Sequence, residues 1–135
     1  MTRAESTTKF PSDPSITVKT ADYSSHDSLV EAFKGNDAAV FILHFSALEE
    51  TQKDLIRAAA AAGVKYILPT EFGADNAVEK LSSSVPINAM KAGPRRLIEE
   101  LSARYPGLTW IGLVTNPWFD YVSSTGTILQ WLHTR

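Results

Sequence analysis

The chain has 135 residues, 44% hydrophobic and 21% charged, a size and balance suited to one globular domain rather than a disordered or fibrous segment. A formal net charge of -2 gives no basic footprint for nucleic acid, and apolar runs such as Ala38–Leu43 are far too short to span a bilayer. The absence of cysteine excludes a disulfide framework and a thiolate zinc site and fits a reducing, cytoplasmic setting, and residues 1–6 hold no apolar signal-peptide core.

In chain order, Thr2 to Ser15 is polar and punctuated by Pro11 and Pro14, which predicts a loop. Ile16-Thr17-Val18-Lys19 is β-branched and alternating, the pattern of a short strand. Asp22 to Ser28 supplies capping residues for a helix whose face is Leu29, Val30 and Phe33 and whose stop is Gly35. Ala38–Leu43 is a continuous apolar run, as expected of a strand buried on both faces. Ser46-Ala47-Leu48-Glu49 has the form of a capping box, with the following helix running from Leu48 to Ala62 and ending at Gly63. Val64–Leu68 is the next strand, closed by Pro69. Leu97, Ile98 and Leu101 mark a further helix, Tyr105-Pro106-Gly107 a turn, and Leu108–Val114 a last strand.

Strands alternating with helices imply a parallel sheet joined by right-handed crossovers. In such sheets ligands bind beyond the carboxyl ends of the strands. Those ends carry Asp22-Tyr23, His44-Phe45-Ser46, Pro69-Thr70-Glu71-Phe72-Gly73 and Thr115-Asn116-Pro117-Trp118-Phe119. Polar and aromatic residues of this kind line pockets, and they also fill ordinary turns. His26, His44 and His133 have no metal-ligand spacing, so no metal is expected.

Three segments carry a resemblance. Gly63 to Asp75, with its Thr70-Glu71-Phe72-Gly73 loop, Met90 to Glu99, and Thr115 to Tyr121 are similar to corresponding segments of the NmrA-like and isoflavone-reductase-like proteins. These are atypical short-chain dehydrogenases that bind NADP(H). The resemblance covers roughly Thr2 to Tyr121. It implies an α/β fold, a partial Rossmann-like parallel sheet with flanking helices, in one incomplete domain over residues 1–135. It also implies a small-molecule substrate, with NADP as cofactor of the complete protein.

On the family pattern, Arg3 stands where an arginine at the end of the second strand meets the 2′-phosphate of NADP, a task that suits a planar guanidinium. Lys9 joins the same phosphate site or is, like Arg3 on the alternative reading, a solvated loop charge. Asp22, Tyr23, His44, Phe45, Pro69, Thr70, Glu71, Phe72 and Asn116 are the candidate cofactor lining. His44 reads equally as a hydrogen-bonded structural histidine. Lys91 matches the family's catalytic lysine, a general acid or base if burial lowers its pKa, and reads otherwise as a surface helix lysine. Arg95 matches a position used near cofactor or substrate, or else pairs with Glu99 at i to i+4 spacing. Gly93-Pro94 departs from the pattern: proline costs a helix interior about 3 kcal/mol, so the helix is expected to start or kink at Pro94.

The family's glycine-rich pyrophosphate turn has no counterpart, because the seven glycines form no G-x-G-x-x-G. On the family pattern the first strand, the first helix and most of the second strand are therefore missing, and Ser123–Arg135 is a short amphipathic tail without the family's continuation. Removal of the central strands is expected to bring the Ile16 strand beside the Ala38–Leu43 strand, where each satisfies the other's backbone. Three functions stay open: an NADP-dependent oxidoreductase using Lys91, a non-catalytic NADP-sensing module, and a chain without independent function.

Overall fold

Three short strands, β1 (Ala38–Val40), β2 (Tyr66–Leu68) and β3 (Thr109–Trp110), form a parallel sheet in the order β1-β2-β3 in the computed structural model, which describes residues 1–3, 5–78, 80, 86–116, 118 and 123–124. Ala39 lies opposite Ile67, and Ile67 opposite Trp110. The strands are shorter than their apolar runs, but the ladder continues beyond them. Phe41 N donates to Leu68 O at 2.9 Å, Ile111 N donates to Ile67 O at 3.0 Å, and Gly73 bridges Val114.

The helices follow their sequence signals at most ends. In α1 (His26–Phe33) the Ser25 hydroxyl caps the Ser28 amide, Leu29 and Phe33 are buried, and Gly35 at φ 77° ends the helix. In α2 (Glu50–Ala61) Leu55, Ile56, Ala58, Ala59 and Ala60 are buried, and the small alanines let α1 and the helix over Pro86–Arg104 pack closely against it. Gly63, at φ 82°, ends it. The capping box does not form. Residues Phe45–Ala47 make a 3₁₀ turn and α2 starts at Glu50, because the Ser46 hydroxyl is engaged by His44 Nδ1 at 3.0 Å.

Helix α3 (Pro86–Arg104) contains Pro94 in its interior, where a start or kink is expected from sequence. Pro94 is fully buried, and Gly93 lies so close to α2 that a Cβ there would fall 2.8 Å from Lys53 Cε. Tertiary packing thus offsets the lost helix hydrogen bond.

The core joins Leu29 and Phe33 of α1, the α2 face and Ile98 of α3 to Ala39, Phe41 and Ile67 of the sheet. The three α-helices among the described residues therefore cover one face. Among the described residues the other face is uncovered: Val40 is 55% exposed and Ile42 77%. The expectation of a strand buried on both faces is corrected to a one-sided strand, whose period-2 alternation is hidden by apolar residues in the exposed positions.

The Ile16 segment is also corrected. It forms no strand, and no backbone hydrogen bond joins residues 16–20 to 38–43 among the described residues. Ile16 N turns back to Asp13 O, while Thr20 pairs in parallel with Thr2: Thr2 N donates to Lys19 O and Ala21 N to Thr2 O. A cleft lined by Thr2, Ile42 and Leu43 separates this pair from β1. The amphipathic tail expected over residues 123–135 lies almost wholly outside the described residues.

Candidate cofactor and proton-transfer site

The loop after β2 is built by a buried polar brace. Gln52 of α2 is fully buried: its amide donates to Leu48 O at 3.2 Å and its carbonyl accepts from Thr70 N at 2.7 Å. Thr70 Oγ1 then donates to Phe41 O at 2.9 Å and accepts from Leu43 N at 3.3 Å. Three elements are thereby locked together where β1 and β2 end. Pro69 is fully buried beneath the loop and its carbonyl accepts from Glu71 N. Gln52 escaped the sequence reading. Its signal was a polar side chain on the Leu55, Ile56 and Ala59 face at i+3, i+4 and i+7.

Glu71 is 3% exposed and Lys91 6%. The Lys91 ammonium donates to the Glu71 carbonyl, and Asn76 Nδ2 donates to the Glu71 carboxylate. Burial pushes the Lys91 pKa below that of an ordinary lysine, while the neighbouring Glu71 charge pulls it partly back up. Phe72 follows at φ 20°, and Gly73 lies close to the same point, where a Cβ on it would fall 3.3 Å from the Glu71 carbonyl oxygen and 3.6 Å from Lys91 Nζ. The loop after β3 is fastened to the same point: the amides of Thr115 and Asn116 donate to Gly73 O at 3.1 and 3.0 Å, with Asn116 in the left-handed region at φ 58°. Asparagine tolerates that conformation better than most side chains.

Arg95 lies one turn beyond Lys91. Its Nε donates to Glu99 at 3.1 Å, as the i to i+4 spacing suggested, and its guanidinium sits 5.3 Å from the Trp110 ring centre and 4.0 Å from Asp75. These contacts occupy Arg95 structurally.

A second group lines the cleft beside β1, about 660 Å³ in volume, into which Arg3, Tyr23 and His44 all face. The Arg3 guanidinium is 4.8 Å from the Tyr23 ring centre and has no acidic partner among the described residues. His44 is exposed, stacks on Phe45 at 3.9 Å and bonds Ser46, which makes it a local turn-former as well as a lining residue. Asp22 spends its carboxylate on the Ser24 amide and hydroxyl, bonds that hold its pKa below the usual carboxylate range, and it borders an adjoining cleft with Arg3 and Tyr23. Lys9 is exposed and does not line the cleft. Among the described residues no three His, Asp or Glu side chains group as a metal site, and no helix is long and apolar enough to cross a membrane.

A parallel sheet whose chemistry-bearing loops gather at the strands' carboxyl ends is the architecture of Rossmann-like dinucleotide-binding domains. The model of the NmrA-like family matches residues 2–118, and the chain belongs to that family. It is 38% identical over 122 residues to oxidoreductase aprR of Aspergillus flavus, covering 89% of this chain and 39% of that protein. It is 37% identical over 82 residues to eugenol synthase 2 of Clarkia breweri, covering 58% of this chain and 26% of that one. A solved structure of AtPrR2 with NADP+ and (+)pinoresinol superposes with a TM-score of 0.60 at 27% identity, over 76% of this chain and 34% of that one. The chain thus spans well under half the length of the relatives it matches.

Proposed function

We propose that this chain is the part of an NADP(H)-dependent reductase that holds the two ends of the cofactor and the proton-handling lysine. The observation that carries the reading is Lys91: a buried ammonium anchored to a backbone carbonyl, in a corner built by the loops after β2 and β3. Isolated lysines are rarely buried, and one whose pKa is lowered by burial suits proton transfer.

The residues present fit NADP at its ends. Arg3, whose guanidinium has no acidic partner among the described residues, fits the 2′-phosphate; Tyr23 and His44 fit the adjoining ribose side; Thr70 to Phe72 and Asn116 fit the nicotinamide side. They do not fit the pyrophosphate, for which the sequence has no glycine-rich turn. When bound, NADPH supplies a hydride. Lys91 gives or takes the accompanying proton through Nζ, and the Gln52–Thr70 brace holds the loop that orients it. The substrate is a small molecule, of the kind of the (+)pinoresinol held with NADP+ in the structural neighbour. Gly93-Pro94 lies inside α3, so Lys91 and Arg95 stand on one helix.

The test is a titration of the uniformly ¹⁵N-labelled chain with millimolar NADP+ and, separately, NAD+. Amide shifts are expected to cluster at residues 2–3, 44, 70–73 and 91, larger for NADP+. Shifts absent from all of these loops would retire the reading.

A further inference from the structure

Among the described residues Glu71 is the one buried acid beside Lys91, held through both its side chain and its backbone carbonyl. Asn76, itself 7% exposed, donates its Nδ2 to one carboxylate oxygen. The carboxylate accepts only, so the amide must present nitrogen to it, and Asn76 Oδ1 is left without a partner among the described residues. Gly112 packs against the Glu71 side chain: a Cβ there would sit in ordinary contact with Glu71 Cγ, at 3.6 Å, and tightly against the Trp110 ring, at 3.1 Å. The Glu71 carbonyl accepts from Lys91. A carboxylate is costly to bury unless it is hydrogen-bonded, and Asn76 supplies that bond, while the Lys91 ammonium is held on the same residue's carbonyl.

We propose that Glu71 is a positioning residue for Lys91, its carbonyl fixing the ammonium and its Asn76-clamped carboxylate supplying the counter-charge that sets when the amine releases its proton. The inference rests on the reading of Lys91 as the proton-handling group, but the coupling itself is a property of the two side chains. Burial lowers the Lys91 pKa and the nearby Glu71 charge opposes it. Other charges nearby are committed elsewhere. Arg95 on the same helix is engaged with Glu99 and lies near Asp75, and Lys53 of α2 is paired with Glu49 and Glu50. No charged residue of β3 takes part, since Thr109 and Trp110 are neutral. With the carboxylate gone, desolvation acts alone and the amine deprotonates more readily.

The chain, labelled with ¹³C at lysine Cε and glutamate Cδ, tests this by NMR titration. Glu71→Gln is expected to move the Lys91 midpoint to lower pH, and Glu71→Asp to restore most of it. An unmoved midpoint in a folded Glu71→Gln chain overturns the proposal and leaves Glu71 a structural pillar. Should that variant fail to fold, the wild-type spectrum decides. The Glu71 Cδ resonance must show a step at the pH where Lys91 titrates, and its absence overturns the proposal equally. Coupling observed alongside no nicotinamide contact at Lys91 would sink the reductase reading and leave this pairing standing.

Discussion

Replacing Gln52 with leucine removes the side chain that, among the described residues, ties α2 to the loop after β2 by hydrogen bond. The near-isosteric leucine leaves no large cavity, so the cost is polar. Thr70 N, now bonded at 2.7 Å to Gln52 Oε1, becomes a buried donor without an acceptor, and Leu48 O loses its side-chain partner. An unsatisfied buried donor costs about 1–3 kcal/mol. That is a large share of the ~5–15 kcal/mol by which domains are stable. Chemical denaturation should report a loss in that range with an unchanged slope, since the surface exposed on unfolding barely alters. Hydrogen exchange gives the local readout. Protection of the Thr70 amide should fall by about tenfold to a hundredfold, at about 1.4 kcal/mol per decade. A stability change under about 0.5 kcal/mol with Thr70 protection intact would refute the claim that this brace holds the site.

Three further outcomes follow from the same geometry. Lys91 has a lowered pKa in the fold, so between that value and the unfolded value of about 10.4 the unfolded chain binds more protons and stability rises with pH. The denaturation free energy of wild type minus that of Lys91→Met should therefore increase from neutral to alkaline pH, and a flat difference would mean that Lys91 is not perturbed by burial. Ile42→Lys, on the bare sheet face, should change stability by no more than about 0.5 kcal/mol, whereas Phe41→Ala one residue away should cost about 3–5 kcal/mol; equal costs would place a covering layer over Ile42. Arg3→Ala should weaken NADP+ shifts in the amide spectrum and leave those of NAD+ nearly unchanged, and equal loss for both would assign Arg3 another part.

How far the sequence could be read depended on whether local residues decided the outcome. Gly35 and Gly63 end their helices because a left-handed residue is needed there, and glycine is visible in the sequence. Arg95 meets Glu99 because helical spacing alone puts them together. The misreadings arose where distant packing decided instead. Pro94 stays inside α3 because α2 presses on Gly93, which no local rule contains. Val40 and Ile42 look like core residues until the helices are seen to lie on one face. The Ile16 segment reads as a strand, yet Thr2 takes the pairing at Thr20, a contact from another part of the chain. At the site, the family resemblance singled out Lys91 and the Thr70–Gly73 loop. The polar groups that support them, Gln52 and Asn76, became apparent only once burial showed them to be polar atoms needing partners.

The central claim is that the nicotinamide end of NADP sits against Lys91 and Phe72, at the carboxyl ends of β2 and β3. Transferred nuclear Overhauser effects between the nicotinamide ring protons of NADP+ and this chain measure that contact directly, even for weak binding. Cross-peaks to the Phe72 ring and the Lys91 methylenes are predicted, together with a dissociation constant far above the micromolar range because no glycine-rich turn holds the pyrophosphate. Cross-peaks to the bare sheet face at Val40 and Ile42 instead, or micromolar binding, would contradict the account.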